Sequence, residues 1–86
     1  MRLCRVKGKV TGTIKDPGLQ RVTLLLVTSL QDVDGPETVV ADAVGAGIGE
    51  LVLVAEGSSA RQAVTLRGLP TDAAAVMIVD EVHRAE

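Results

Sequence analysis

The chain has 86 residues, enough for one domain over residues 1–86 and too few for two. Hydrophobic residues make up 47% of it, Phe, Tyr and Trp are absent, and the formal net charge is -2. The missing rings remove the stacking platforms of single-strand nucleic-acid binders and the walls of many ligand pockets, and the acidic balance is opposite to the basic footprint of a nucleic-acid-binding domain.

A domain this small buries only about two thirds of the surface its unfolded chain exposes, so an apolar share of 47% exceeds what one small core readily hides. Burial of the remainder against other copies of the chain is the simplest resolution. Cys4 is the lone cysteine. It excludes an intrachain disulfide and a zinc site of several thiolates, and it fits a half-buried small residue in a cytosolic protein. No apolar run approaches the roughly 20 residues of a membrane-spanning helix, and no signal-peptide core opens the chain, so a soluble cytoplasmic protein is expected, without a membrane partner.

In chain order, Arg5 to Lys15 alternates strictly, with Val6, Gly8, Val10, Gly12 and Ile14 on one side and Arg5, Lys7, Lys9, Thr11, Thr13 and Lys15 on the other. Period two predicts a half-buried strand, and glycines on its apolar side suit the sharp curvature of a small barrel. Asp16, Pro17 and Gly18 predict a reversal. A second strand follows from about Arg21 to Leu30, apolar on both faces over Leu24 to Val27, which points to a neighbouring subunit behind it. Gln31 to Glu37 reads as a hairpin loop. Thr38 to Val44 is predicted as the third strand, Leu51 to Glu56 as the fourth and Ala74 to Val82 as the fifth. Between the last two, Gly57, Ser58 and Ser59 offer a helix N-cap, which predicts one short helical turn near Ser59 to Gln62. Together these elements predict an all-β, five-stranded OB-like barrel with one short helix.

The candidate sites are few. Gly45, Gly47 and Gly49 form a GxGxG string after a strand. A phosphate loop must open a helix whose N-terminal amides hold the anion, and Leu51-Val52-Leu53-Val54 continues as strand instead. The string therefore reads as a tight connection in which no side chain fits, and a close subunit contact would impose the same requirement. Arg5, Lys7, Lys9 and Lys15 would be the phosphate-binding face of an OB-like single-stranded nucleic-acid-binding module, the alternative to a solvated strand face. His83 with Asp80, and Ser58 or Ser59 as nucleophile, is a poor catalytic set, because three residues on a strand put Asp80 and His83 on opposite faces. Asp42 and Asp72 flank strands or turns and suit capping of nearby amides. No catalytic set, cofactor or metal site emerges, and an enzyme is not expected.

Asp42-Ala43-Val44-Gly45-Ala46-Gly47-Ile48-Gly49-Glu50, Leu51-Val52-Leu53-Val54 and Gly57-Ser58-Ser59-Ala60-Arg61 occur together, with Gly8-Lys9-Val10, Gly12 and Thr13-Ile14-Lys15 before them and Pro70-Thr71-Asp72-Ala73 and Ile78-Val79-Asp80 after. In this combination the chain resembles the bacterial microcompartment vertex proteins, the EutN/CcmL family, over nearly its whole length. Met77 departs from the glycine common there. The resemblance implies a cyclic homopentamer that closes the fivefold corners of a shell otherwise tiled by hexameric proteins, in carboxysomes or metabolosomes, with no cofactor. It also implies assembly contacts as the functional residues: Gly45, Gly47, Gly49, Gly57, Ser58, Ser59 and Arg61, at subunit contacts or near the axis.

Overall fold

The alternating N-terminal segment and the four later aliphatic runs all become strands in the computed structural model, which describes residues 1–13, 15–19, 22–32, 34–63 and 71–85, the side chains of Ser59 and Arg61 excepted. These are β1 (Arg2–Val10), β2 (Leu24–Ser29), β3 (Glu37–Asp42), β4 (Leu51–Glu56) and β5 (Ala73–Val79). They form a closed barrel in the order β1-β2-β3-β5-β4. Among the described residues the β3–β5 seam is the parallel one, and it is short: Ala41 opposite Ala74 and Asp42 opposite Ala75. The other pairings are antiparallel. The expected five-stranded OB-like barrel is therefore observed.

The strand ends depart from the sequence pattern where partners run out. β1 begins at Arg2, because Arg2 to Arg5 pair with Val54 to Leu51. It ends at Val10, opposite Leu24, where β2 starts. Among the described residues no strand lies opposite the alternation beyond Val10; Ile14, like Arg21 and Pro70, lies outside them. β4 matches its predicted bounds. β3 begins at Glu37 and stops at Asp42, and β5 runs from Ala73 to Val79 rather than from Ala74 to Val82. The predicted reversal at Asp16 is a short 3-10 turn, Pro17–Leu19, in which the Asp16 carboxylate accepts the Gly18 amide at 2.7 Å.

The barrel interior is filled by Cys4, Val6, Leu25, Val27, Val40, Val52 and Val54 with Ala46, Ala73 and Ala75, and Ile78 packs against them. With no aromatic ring available, aliphatic side chains carry this core, each fully buried Val or Leu contributing about 1.5–3 kcal/mol. Cys4 belongs to it: it is 0% exposed, not half-buried, because it faces inward opposite Val52. Burial pushes its thiol up from the usual value, against a smaller lowering by Arg2 and with a further raising by Glu56.

A second cluster, Ala41, Ala60 and Ala74 with Val22, Leu24, Ala43, Ala63 and Val76, lies outside the barrel. Ala41 and Ala74 alternate with the inward Val40, Ala73 and Ala75, so they face away from the interior. The segment that covers them is a 3-10 turn, Gly57–Gln62, where a turn of helix was expected. The N-cap position falls ahead of the predicted Gly57, Ser58 and Ser59. Glu56 occupies the N-cap position without a side-chain capping bond. Its carboxylate instead accepts Arg2 Nε at 2.7 Å.

β1 also breaks its own alternation. Its register with β2 shifts between Val6 and Gly8, so that Val6 faces Val27 but Gly8 faces Leu26 and Val10 faces Leu24. Such a bulge switches the side of the sheet on which later residues lie. Val10, predicted inward with Val6, is 38% exposed on the outside, and a Cβ on Gly8 would lie 4.0 Å from Leu26 Cβ.

Candidate functional site

β3 ends on Asp42, and this carboxylate organises the connection to β4. Oδ1 accepts the amides of Val44 and Gly45 and Oδ2 that of Ala46, each at 3.0 Å. This is the amide capping expected of an aspartate followed by a glycine-containing turn. Glu50 braces the other end: its Oε1 accepts the Gly47 amide at 2.6 Å, while the Glu50 amide reaches the Gly47 carbonyl at 3.2 Å. The loop is also laced to β1. Gly49 donates to the Val6 carbonyl at 2.8 Å, Val6 to the Glu50 carbonyl at 3.0 Å, and the Arg5 guanidinium to the Gly49 carbonyl at 3.0 Å.

These bonds reject a phosphate loop on chemical grounds as well as on the strand that follows. An anion nest needs free, convergent amides. Here the amides of Val44, Gly45, Ala46, Gly47 and Gly49 already donate to Asp42, Glu50 or Val6.

The reason for glycine differs from the one the sequence suggested. Gly45 and Gly49 have φ of 76° and 90°, and a Cβ at either would meet nothing within 4 Å. Backbone conformation, not lack of space, selects glycine there. Gly47 is not in that region. A Cβ on it would lie 3.2 Å from Glu50 Oε1, so its constraint is the brace itself.

Gly57 sits at the far end of β4, with φ of 69° and its amide donating to the Asp72 carbonyl at 2.7 Å. Ser58 and Arg61 follow in the 3-10 turn. Within one copy, β4 separates this segment from the glycine string by roughly 17 Å, at about 3.3 Å per residue over Leu51–Glu56. The structure thus brings Gly45, Gly47 and Gly49 together and places Gly57, Ser58, Ser59 and Arg61 elsewhere.

Two contributors escaped the sequence reading. Glu50 has no role in the sequence pattern as read above, although an acid three residues after Gly47 is the available signal. Ile48 is 67% exposed on the braced loop, an apolar side chain held out by two carboxylates.

The remaining candidates are dispersed. His83 Nε2 lies 2.9 Å from Glu81 Oε2, both on exposed residues after β5. Lys7 and Lys9 are exposed, while Arg5 is half-buried and engaged with the loop. Among the described residues no group of three or more His, Cys, Asp or Glu could hold a metal ion, and no helix is long and apolar enough to cross a membrane. A cleft of about 610 Å³ between Met1–Leu3, Ser29–Gln31, Val82 and Arg84 contains two arginines, of which Arg2 is paired with Glu56.

The fold is a small closed barrel whose glycine loop has its amides taken up by Asp42, Glu50 and Val6 and carries one strongly exposed apolar side chain, Ile48. Comparison with known proteins gives the family. The family described as "Ethanolamine utilisation protein EutN/carboxysome" matches residues 1–80. The bacterial microcompartment shell vertex protein GrpN of Rhodospirillum rubrum is 46% identical, over 96% of this chain and 97% of its own. The carboxysome shell vertex protein CcmL of Nostoc sp. PCC 7120 is 42% identical, over 96% of this chain and 86% of its own. The solved structure of the pentameric shell protein GrpN superimposes with a TM-score of 0.85 at 44% identity, covering 99% of this chain and 100% of that one. The Nostoc CcmL structure does so with a TM-score of 0.87 at 41% identity, covering 96% and 93%. The chain belongs to the EutN/CcmL family.

Proposed function

We propose that this protein is a vertex subunit of a bacterial microcompartment shell, a homopentamer that occupies the fivefold corners. The carrying observation is the end-to-end match, in sequence and fold together, to a shell protein described as pentameric. Function is then geometry: a flat sheet of hexameric shell proteins cannot close, and five-fold units supply the curvature. No reaction and no cofactor enters this role, and residues 1–86 act as one assembling unit.

The assembly contacts include Gly45, Gly47 and Gly49, and Gly57, Ser58, Ser59 and Arg61, at subunit interfaces or near the axis. The braced loop supports this, because it holds Ile48 out at 67% exposure in a fixed position. A rigid apolar anchor loses little conformational entropy on association.

Native mass spectrometry tests the ring, and light scattering with refractive-index detection suits a chain without Trp or Tyr. The expected mass is five times 8.9 kDa, about 44.5 kDa. A stable monomer would remove the ring reading. Co-expression with hexameric shell proteins tests the corner: closed particles are expected with this protein and open sheets or tubes without it.

A further inference from the structure

A cyclic ring repeats one heterologous contact, so each copy must carry two unlike faces. Among the described residues, and besides Val44 and Ile48 on the glycine loop and Val82 after β5, the outer surface of the strands carries two apolar faces. One covers β2 and β3. There Leu24 and Leu26 are half-buried, Val10 opposite Leu24 is 38% exposed, and Val39 opposite Leu26 is 47% exposed. The other covers β4 and β5. There Met77, 52% exposed, lies opposite Leu53, which lies opposite Leu3, and Leu51 lies opposite Val79. On β1 the two faces are separated by Arg5 and Lys7; across the short β3–β5 seam they are separated by the alanine cluster under the 3-10 turn.

We infer that the ring forms by seating the Met77 face of one copy on the Val39 face of the next. This rests on the pentamer reading above and assigns its interface. The occupant is a second copy because the whole chain matches a pentameric relative, and because two dissimilar faces on different sides of one barrel propagate from copy to copy instead of pairing about a dyad. The faces also account for apolar residues on both sides of β2 and β4, where a lone barrel needs them on one side only.

The test uses Val39→Asp, Met77→Lys and the double variant, with native mass at low micromolar chain concentration. Each single variant places a charge against an apolar face and is expected to run as a monomer. The double variant sets Asp against Lys at every contact and is expected to recover the ring. Persistence of the wild-type ring mass in either single variant overturns the assignment. A wild-type protein that is itself monomeric instead overturns the pentamer reading, so the two failures are distinguishable.

If a single variant loses its far-ultraviolet circular dichroism, or the double variant stays monomeric, a Val39→Cys, Met77→Cys chain decides. Cys4 is buried, so the new thiols are the ones that react. A flexible bismaleimide is expected to give a ladder ending at five chains, and neither single-cysteine variant should give one. A wild-type-sized ring that yields no ladder overturns the proposal.

Discussion

Replacing Asp42 with alanine removes both oxygens that organise the β3–β4 connection. The amides of Val44 and Gly45 lie in exposed surroundings, where water takes over from Oδ1. Ala46 differs: it is 2% exposed, and its amide reaches Oδ2 in a part-buried position. A hydrogen bond to a charged acceptor contributes about 1.5–3 kcal/mol, and a stranded donor costs a comparable amount. The Ala46 bond therefore dominates, and the whole substitution is expected to cost about 2–3 kcal/mol. Asp42→Asn keeps one acceptor oxygen and is expected to lose about 1–2 kcal/mol. The assay is urea unfolding followed by far-ultraviolet circular dichroism, at one fixed chain concentration because assembly links stability to concentration. Amide hydrogen exchange should accelerate at residues 44–46 and stay unchanged in the middle of β4. A loss below about 0.5 kcal/mol, the range of neutral surface changes, together with unchanged exchange at 44–46, would refute the bracing role of Asp42.

Gly45→Ala and Gly49→Ala should each cost about 1–2 kcal/mol, because their φ values force a side chain into the left-handed region. Gly47→Ala should cost less than about 1 kcal/mol, since only the flexible end of Glu50 must move. Equal losses at the three positions in urea unfolding would contradict this account. Gly47→Val should collide with the same carboxylate and disfavour ring closure, and a normal native mass for that variant would remove Gly47 from the assembly contacts. The buried Cys4 thiol, held above its ordinary value of 9.0, stays protonated in the folded chain. The folded state thus binds this proton more tightly than the unfolded one. The contribution is fully present below pH 9.0 and is lost as pH rises through the folded value, so stability should fall on the alkaline side. Cys4→Ala should flatten that fall, and iodoacetamide should label native Cys4 far more slowly than urea-unfolded chain. The Arg2–Glu56 pair is 38% and 46% exposed, so Arg2→Ala should change stability by less than about 1 kcal/mol, as an unfolding midpoint would report.

Much of this molecule was legible before any coordinates. Period-two alternation and aliphatic runs are local properties of a chain whose side chains point alternately to two faces, and they located all five strands. The bounds of Leu51–Glu56 are legible in the sequence because the aliphatic run Leu51 to Ala55 lies between Glu50 and the Glu56-Gly57 pair. The family was legible because Asp42 to Glu50 and Gly57 to Arg61 keep their spacing along the chain, and the excess of apolar residues already pointed to other copies. Tertiary structure decided what depends on partners distant in sequence. Val10 faces outward because β2 imposes a bulge between Val6 and Gly8, which no inspection of β1 alone reveals. Cys4 is fully buried because Val52 of β4 lies opposite it. Positive backbone angles select glycine at 45 and 49, whereas the string of glycines suggests crowding. The alternation of side chains is written residue by residue, but register and barrel closure join segments tens of residues apart, and they determine which apolar side chains fill the core and which are left outside.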